Sequence, residues 1–316
     1  MLEASSSYEE PFDEDKPAIR VSRDRLHVVS AKVGLGSRIR QIWVYRPLLI
    51  SLVRKELSVK YKNSVLGFVW SMLNPALTLV VYYVVFQLVF KNGTPQFAIF
   101  LLCGLVVWNF FTASLTGATS AVVGNAGIVK KVAFPREVLP LASVGSSMVF
   151  FFLQAIVLAI ALVIARDVPA VSYLPELLVA IVALTLFTGA LAVFLSAVNV
   201  YYRDTQHLLE IVLMAWFWAT PIVYPYRLIG DTLARHHLTW AFFVNPMTSI
   251  IITFQRALYA KVSPVNSAGV KLHILPPNSP LWYLGELAIV VVVSLVLFAL
   301  ALQVFGRMEG NFAEEL

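Results

Sequence analysis

Four uncharged polar residues recur along one apolar run: Asn109, Thr112, Thr116 and Thr119. Their offsets put them on one face of a helix. Thr185, Thr188, Ser196 and Asn199 do much the same in a later run. Such stripes face a polar path or a neighbouring helix, and small hydroxyl residues also favour close helix packing. Aromatics lie close by: Trp108, Phe110 and Phe111 beside the first stripe, and Trp216, Trp218 and Tyr224 within 199–225. A neutral, hydroxylated, aromatic path suits a sugar. A pyranose shows C–H faces to rings and hydroxyls to neutral hydrogen-bonding groups. Taken singly, each aromatic is also explained as a core or interface-belt residue.

Catalytic constellations are missing. The five histidines (27, 207, 236, 237 and 273) stand outside the apolar runs. There is no HExxH, no GxSxG and no paired metal-ligand spacing. Val144-Gly145-Ser146-Ser147 places serines near a glycine, with no histidine at a matching depth. The nearest phosphate-loop pattern, Gly124 to Lys131, lacks the Gly-Lys-Ser/Thr ending. No catalytic residue, metal site or cofactor is therefore expected on this chain. Active transport would need ATP and Mg on a partner polypeptide.

The basic residues suggest two further sites. Pro47–Asn63 reads as an amphipathic helix in the headgroup plane. Its Arg54, Lys55, Lys60 and Lys62 anchor to anionic lipid or receive the phosphates of a lipid-linked substrate, Lys as a point charge and Arg as a fork. Glu56 and Lys60 form an i, i+4 pair within its apolar side. The segment 121–137 (AVVGNAGIVKKVAFPRE) is short, basic and helix-capable. Asn125 can cap that helix and Pro135 stop it. It is either a rigid element that a soluble motor pushes or a charged loop that sets topology.

The elements holding these residues are membrane spans. The chain is 316 residues, 59% hydrophobic and 13% charged, with mean hydropathy +0.78. That is far more apolar than a soluble domain. Five stretches, at roughly 65–90, 97–120, 138–165, 177–200 and 281–305, exceed the ~20 residues a span needs. No charged residue or histidine lies inside the first four, and Glu286 sits one turn into the last. That absence argues against a proton-coupled transporter and a charged-filter channel. The single cysteine, Cys103, excludes an intrachain disulfide. Residues 1–30 read as a disordered tail within a basic segment 1–46, with no cleavable signal peptide expected.

A sixth span, 205–226, is interrupted. Leu208–Ala219 alone is only about 18 Å of helix, and Pro221 follows. The expectation is a helix from Asp204 to Tyr226 kinked at Pro221, with Arg203 at the mouth of the path and Trp216 and Trp218 deeper. Seventeen Lys and Arg then fall on one side and seven on the other, which puts both termini in the cytoplasm. The segment 227–280 lies outside, where Pro246–Tyr259 is either a re-entrant hairpin or a buried amphipathic helix.

Four segments also carry a family resemblance: RKELSVKYKNSVLGFVWSMLNP (54–75), NAGIVKKVAFPREVLPLAS (125–143), NVYYRDTQHLLEIVLMAWFWATPIVYP (199–225) and FGRMEGNFAEEL (305–316). They resemble the transmembrane subunit of ABC-2 type polysaccharide and polyol-phosphate exporters, of the O-antigen, teichoic acid or galactan type. The resemblance implies an all-α fold of six spans with an interfacial helix at 47–63, a six-span domain at 65–305 and a C-terminal tail at 306–316. It implies a homodimer with two separate ATPase subunits in a bacterial inner membrane, and a polyprenyl-diphosphate-linked polymer as substrate. The 126–134 helix would be the coupling helix, with Lys130, Lys131, Phe134, Pro135 and Arg136 seated in the ATPase. Trp108, Asn109, Thr112, Thr116, Tyr201, Trp216, Trp218 and Tyr224 would line the channel. Membrane lipids are the remaining partners, and nucleic acid is not expected. A drug or small-lipid exporter, a membrane-embedded glycosyl- or phosphotransferase and a passive channel are the competing readings. The transferase would need an acidic metal-binding pair that the chain does not show.

Overall fold

The computed structural model describes residues 34–61, 69–89, 94–166, 169–259 and 274–316. The tail 1–33, Lys62, Lys91 and Lys261 lie outside these residues. Every element among the described residues is helical. In chain order they are α1 (Leu35–Val44), α2 (Arg46–Tyr61), α3 (Val69–Tyr83, continued by a π-turn stretch Val84–Val89), α4 (Phe97–Gly124), α5 (Ala126–Val129), α6 (Val138–Ala165), α7 (Leu174–Tyr201) and α8 (Thr205–Trp218). They continue with α9 (Arg227–Arg235), α10 (Thr239–Phe243), α11 (Pro246–Leu258), α12 (Pro280–Met308) and α13 (Phe312–Glu315).

Four of them, α4, α6, α7 and α12, are long and apolar enough to cross a membrane. At 28 or 29 residues each they reach about 42 Å, against a ~30 Å hydrocarbon core. The chain is a multi-pass membrane protein. The ends of these four fall within four residues of the hydropathy reading. Proline sits in the first turn of α7, α11 and α12, where its missing N–H would have no helical partner. α4 packs against α6 and α7, and α12 runs along α7. The outward faces of α6 and α12 carry exposed Val163, Ile164, Ile289 and Val292; such faces suit lipid.

Three expectations need correction, and one open alternative is decided. First, the 1–46 segment is not wholly irregular, because α1 forms over Leu35–Val44 and its Arg38 is buried. Second, the 126–134 helix contracts to one turn. The Asn125 amide donates back to the Ala121 carbonyl (2.8 Å) and so closes α4, leaving no side-chain cap for α5. Third, α8 ends at Trp218 and is not kinked through to Tyr226. Pro221 has no N–H for the Phe217 carbonyl, which accepts from the Thr220 N–H instead (3.2 Å), and the Trp216 carbonyl accepts from the Thr220 hydroxyl (2.8 Å). The irregular backbone that follows is enclosed by protein: Ile222 and Val223 are fully buried, and the Pro221 carbonyl accepts from the Gln255 amide (3.1 Å). Fourth, α11 matches the buried-helix alternative. It packs on α4, α7 and α12, with Ile250, Ile251 and Ile252 fully buried.

Candidate functional site

An open groove of about 390 Å³ runs between α3, α4 and α8. Trp108, Asn109 and Thr112 line it from α4, Trp218 and Glu210 from α8, and Thr78 and Tyr82 from α3. Four rings, Tyr82, Trp108, Phe217 and Trp218, form part of its walls. Tyr82 stacks on Phe217 (5.7 Å), Trp108 meets the edge of Phe217 (5.6 Å) and Trp218 stands edge-on to Tyr82 (6.5 Å). Asn109 donates to Gln154 of α6 (3.3 Å), which fixes its amide and leaves its own carbonyl oxygen as an acceptor. Thr112 donates to the Trp108 carbonyl (3.0 Å) and likewise keeps acceptor capacity. The groove can stack and hydrogen-bond a neutral ring. Glu210 adds one carboxylate that the stripe pattern did not point to; only its position one turn before Leu213 and Met214 signals it.

The other path candidates lie elsewhere. The Trp216 indole N–H donates to Asn245 (2.9 Å), and the ring packs edge-on to Phe111 (5.2 Å) and Phe187 (6.0 Å) in the core. Asn245 also caps α11 by accepting from the Met247 amide (3.1 Å) and donates to the Thr220 hydroxyl (3.0 Å). Trp216 therefore ties α8 to α11, while its neighbour Trp218 stands half exposed at the groove. The Tyr224 hydroxyl donates to the Trp218 carbonyl (2.9 Å), holding that turn. Thr116 is exposed farther along α4. Thr119, Thr188, Ser196 and Asn199 are buried between helices, and Asn199 donates to the Thr119 carbonyl (2.9 Å). That half of the two stripes serves packing.

On α2, Arg54 and Lys55 are exposed, and Lys55 donates to the Asn125 side chain (3.0 Å). Lys60 lies with its ammonium 4.3 Å from the Phe150 ring centre. Burial pushes its pKa below the ordinary value, with Glu56 pulling the other way. A cleft of about 230 Å³ brings Lys55, Lys60 and Asn125 together. Glu56 is turned into α6, where its carboxylate accepts from Ser143 (2.8 Å) and Ser146 (2.6 Å). The serines of the Ser143–Ser147 stretch thus clasp a helix. Gly145 allows the approach, since a Cβ there would stand 2.9 Å from Val53.

Residues 128–137 lie at the end of the bundle that carries α1, α2 and the C-terminal tail, with Val129 and Glu137 buried. Lys130, Lys131 and Val132 are exposed, Ile128 partly so, and Phe134, Pro135 and Arg136 are half-buried behind them. Behind this tip lies a charge cluster that sequence patterns did not reveal. Arg38 of α1 pairs with Glu137, the residue before α6, and with Glu309 after α12 (2.8 Å). Burial works against the Arg38 charge, but Glu309 and Glu137 hold its proton more firmly than usual. Burial and the Glu309 charge push Glu137 above the usual carboxylate range, against the pull of Arg38. Arg136 donates to the Glu309 carbonyl and covers the Phe312 ring (5.8 Å). Tyr201 donates to the Met308 carbonyl (2.8 Å), and Arg203 reaches the Glu315 carbonyl (3.5 Å). Both residues therefore hold the C-terminal tail.

Comparison with known proteins places this geometry. The chain is 34% identical over 278 residues to the O-antigen export system permease protein RfbA of Myxococcus xanthus, covering 88% of this chain and 98% of that protein. It is 29% identical over 269 residues to an RfbA of the same description from Klebsiella pneumoniae, covering 85% and 95%. The profile of the family described as ABC-2 type transporter matches residues 47–259, from the start of α2 to the end of α11. The match takes in the groove, the basic cleft and the tip, and the chain belongs to the ABC-2 type transporter family.

Proposed function

We propose that this chain is the permease subunit of an exporter for a lipid-diphosphate-linked polysaccharide. It acts in a bacterial inner membrane, and ATP hydrolysis on a separate subunit drives it. The chain is a transport subunit and not an enzyme, and ATP and Mg belong to the partner. The observation that carries the substrate class is the groove, with ring walls and neutral acceptors from Asn109 and Thr112. A polymer of sugars can slide along such a surface because no single contact is strong. The relatives' name, O-antigen export system permease, supports the same class.

Six crossings are formed by the four long helices, by α3 with its π-turn stretch, and by α8 with its irregular continuation. The basic end is then cytoplasmic, as are both termini. The groove is open on one side, so two copies facing one another complete the path. The Lys55–Lys60 cleft on α2 receives the diphosphate at the membrane surface, with Arg54 beside it. The tip, with Val132 exposed between Lys131 and Arg136, seats in the ATPase.

The test separates two neighbouring tryptophans. Trp218→Ala should leave membrane abundance and ATPase association intact. It should lower surface polysaccharide, read by periodate–hydrazide staining of cells, by about three- to ten-fold, the equivalent of about 0.7–1.4 kcal/mol of lost ring contact. Trp216→Ala should instead lower abundance, because Asn245 and the core lose their partner. Normal staining with Trp218→Ala would return that ring to the lipid belt.

A further inference from the structure

The tip that meets the ATPase is a weak mechanical element by itself. Its helix is a single turn, Ala126–Val129, and Lys130 to Ala133 form an exposed turn and extended segment. A push there must be passed on by whatever holds its base. Along the chain the tip leads to α4 on one side and to α6 on the other. Through side chains it leads much farther.

We propose that Arg38 and Glu309 are positioning residues of the coupling step. They bind the base of the tip to α1 and α12, so that a push moves α6 and α12 as one body. Arg38 makes the junction. It is 7% exposed and bridges Glu137, 99 residues away, to Glu309, 271 residues away. Arg136 adds a second strap from the tip to the Glu309 carbonyl. The four groups are two cations and two carboxylates, neutral as a set, with Arg38 and Glu137 buried and Arg136 and Glu309 part-exposed. Its shape demands a glycine, since a Cβ on Gly306 would stand 2.2 Å from the Arg38 guanidinium carbon. Beyond Glu309, fully buried Phe312 packs on Phe305 (5.3 Å) and Tyr201 (6.1 Å), which extends the body to α7. Neither Arg38 nor Glu309 contacts the groove or the basic cleft.

The proposal rests on the ATPase-driven reading, and its test keeps the two apart. Glu309→Gln preserves shape and removes one charge. The variant is expressed with its ATPase partner; ATP hydrolysis is read on the purified complex and surface polysaccharide by periodate–hydrazide staining. Hydrolysis should stay within about two-fold of the parent while polysaccharide per ATP falls at least ten-fold. Glu309→Asp, which keeps the charge, should recover part of that ratio. An unchanged ratio in Glu309→Gln overturns the proposal. If Glu309→Gln fails to reach the membrane, the ratio is read on Gly306→Ala, which displaces the guanidinium without removing charge; an unchanged ratio there is equally fatal. If neither variant accumulates, the cluster belongs to assembly and the proposal is overturned. In parallel, Val132→Asp at the tip should abolish ATPase capture. Intact capture would sink the docking assignment without touching the Glu309 result.

Discussion

Lys60 shows how one side chain serves two demands that a substitution can pull apart. Its ammonium lies against Phe150, and although the residue as a whole is exposed, desolvation at that ring lowers its pKa from the ordinary 10.5. A lysine whose folded pKa is lowered carries its proton at a disadvantage in the fold. That penalty is fully present below the folded pKa and fades as pH rises towards the unfolded value. Lys60→Met keeps an apolar stem on the ring and removes the charge. Its thermal midpoint in detergent at pH 7 should equal or exceed the parent's, and the difference should vanish as pH nears 10.5. Export should fall nonetheless if the ammonium meets a diphosphate. A lower midpoint at pH 7 would show that the Glu56 attraction outweighs burial, and normal export would remove Lys60 from the substrate site.

At the scale of helices, α2 is the case where packing contradicts a simple amphipathic wheel. The wheel treats Glu56 as a charge out of place on the apolar side. In the fold Leu52, Val53 and Glu56 all face α6, and Glu56 finds two serine hydroxyls there. Removing the carboxylate strands the Ser143 hydroxyl, at about 1–3 kcal/mol, while Ser146 keeps the Ser143 carbonyl (3.0 Å). A cysteine at buried Leu52 should react slowly with maleimide in the parent and several-fold faster once Glu56→Ala is added. The native Cys103 is buried and gives a low background. Equal rates would show that apolar contacts alone seat α2. The same contrast explains what the sequence could reveal. The long helices were legible because length and hydropathy are local properties. The partner of Glu56 lies 87–90 residues away and that of Trp216 lies 29 away, and no periodicity encodes either. So of the residues read as path candidates, Trp108, Asn109, Thr112 and Trp218 come together along one groove. Trp216, two residues from Trp218, has the same composition around it but the opposite surroundings.

For the whole molecule, the open groove and the bare apolar faces beside it matter most. Leu77, Val80, Leu208 and Ile211 of α3 and α8 are each more than half exposed. A sugar path with one wall open to hydrocarbon would leave hydroxyls unpartnered. In the proposed dimer a second copy would close it. Ile211→Cys should therefore form a disulfide-linked pair in membranes under mild oxidant, whereas a cysteine at Val163, on the outward face of α6, should not. If neither position cross-links, the path is not completed by these faces.

The Arg38–Glu309 pair also bears on how the chain is made. Arg38 is translated 271 residues before Glu309. A growing chain can insert α3 to α8 while Arg38 still lacks half of its counter-charge. That junction closes only once α12 and Glu309 have been made, so a late-made helix end secures an early-made helix.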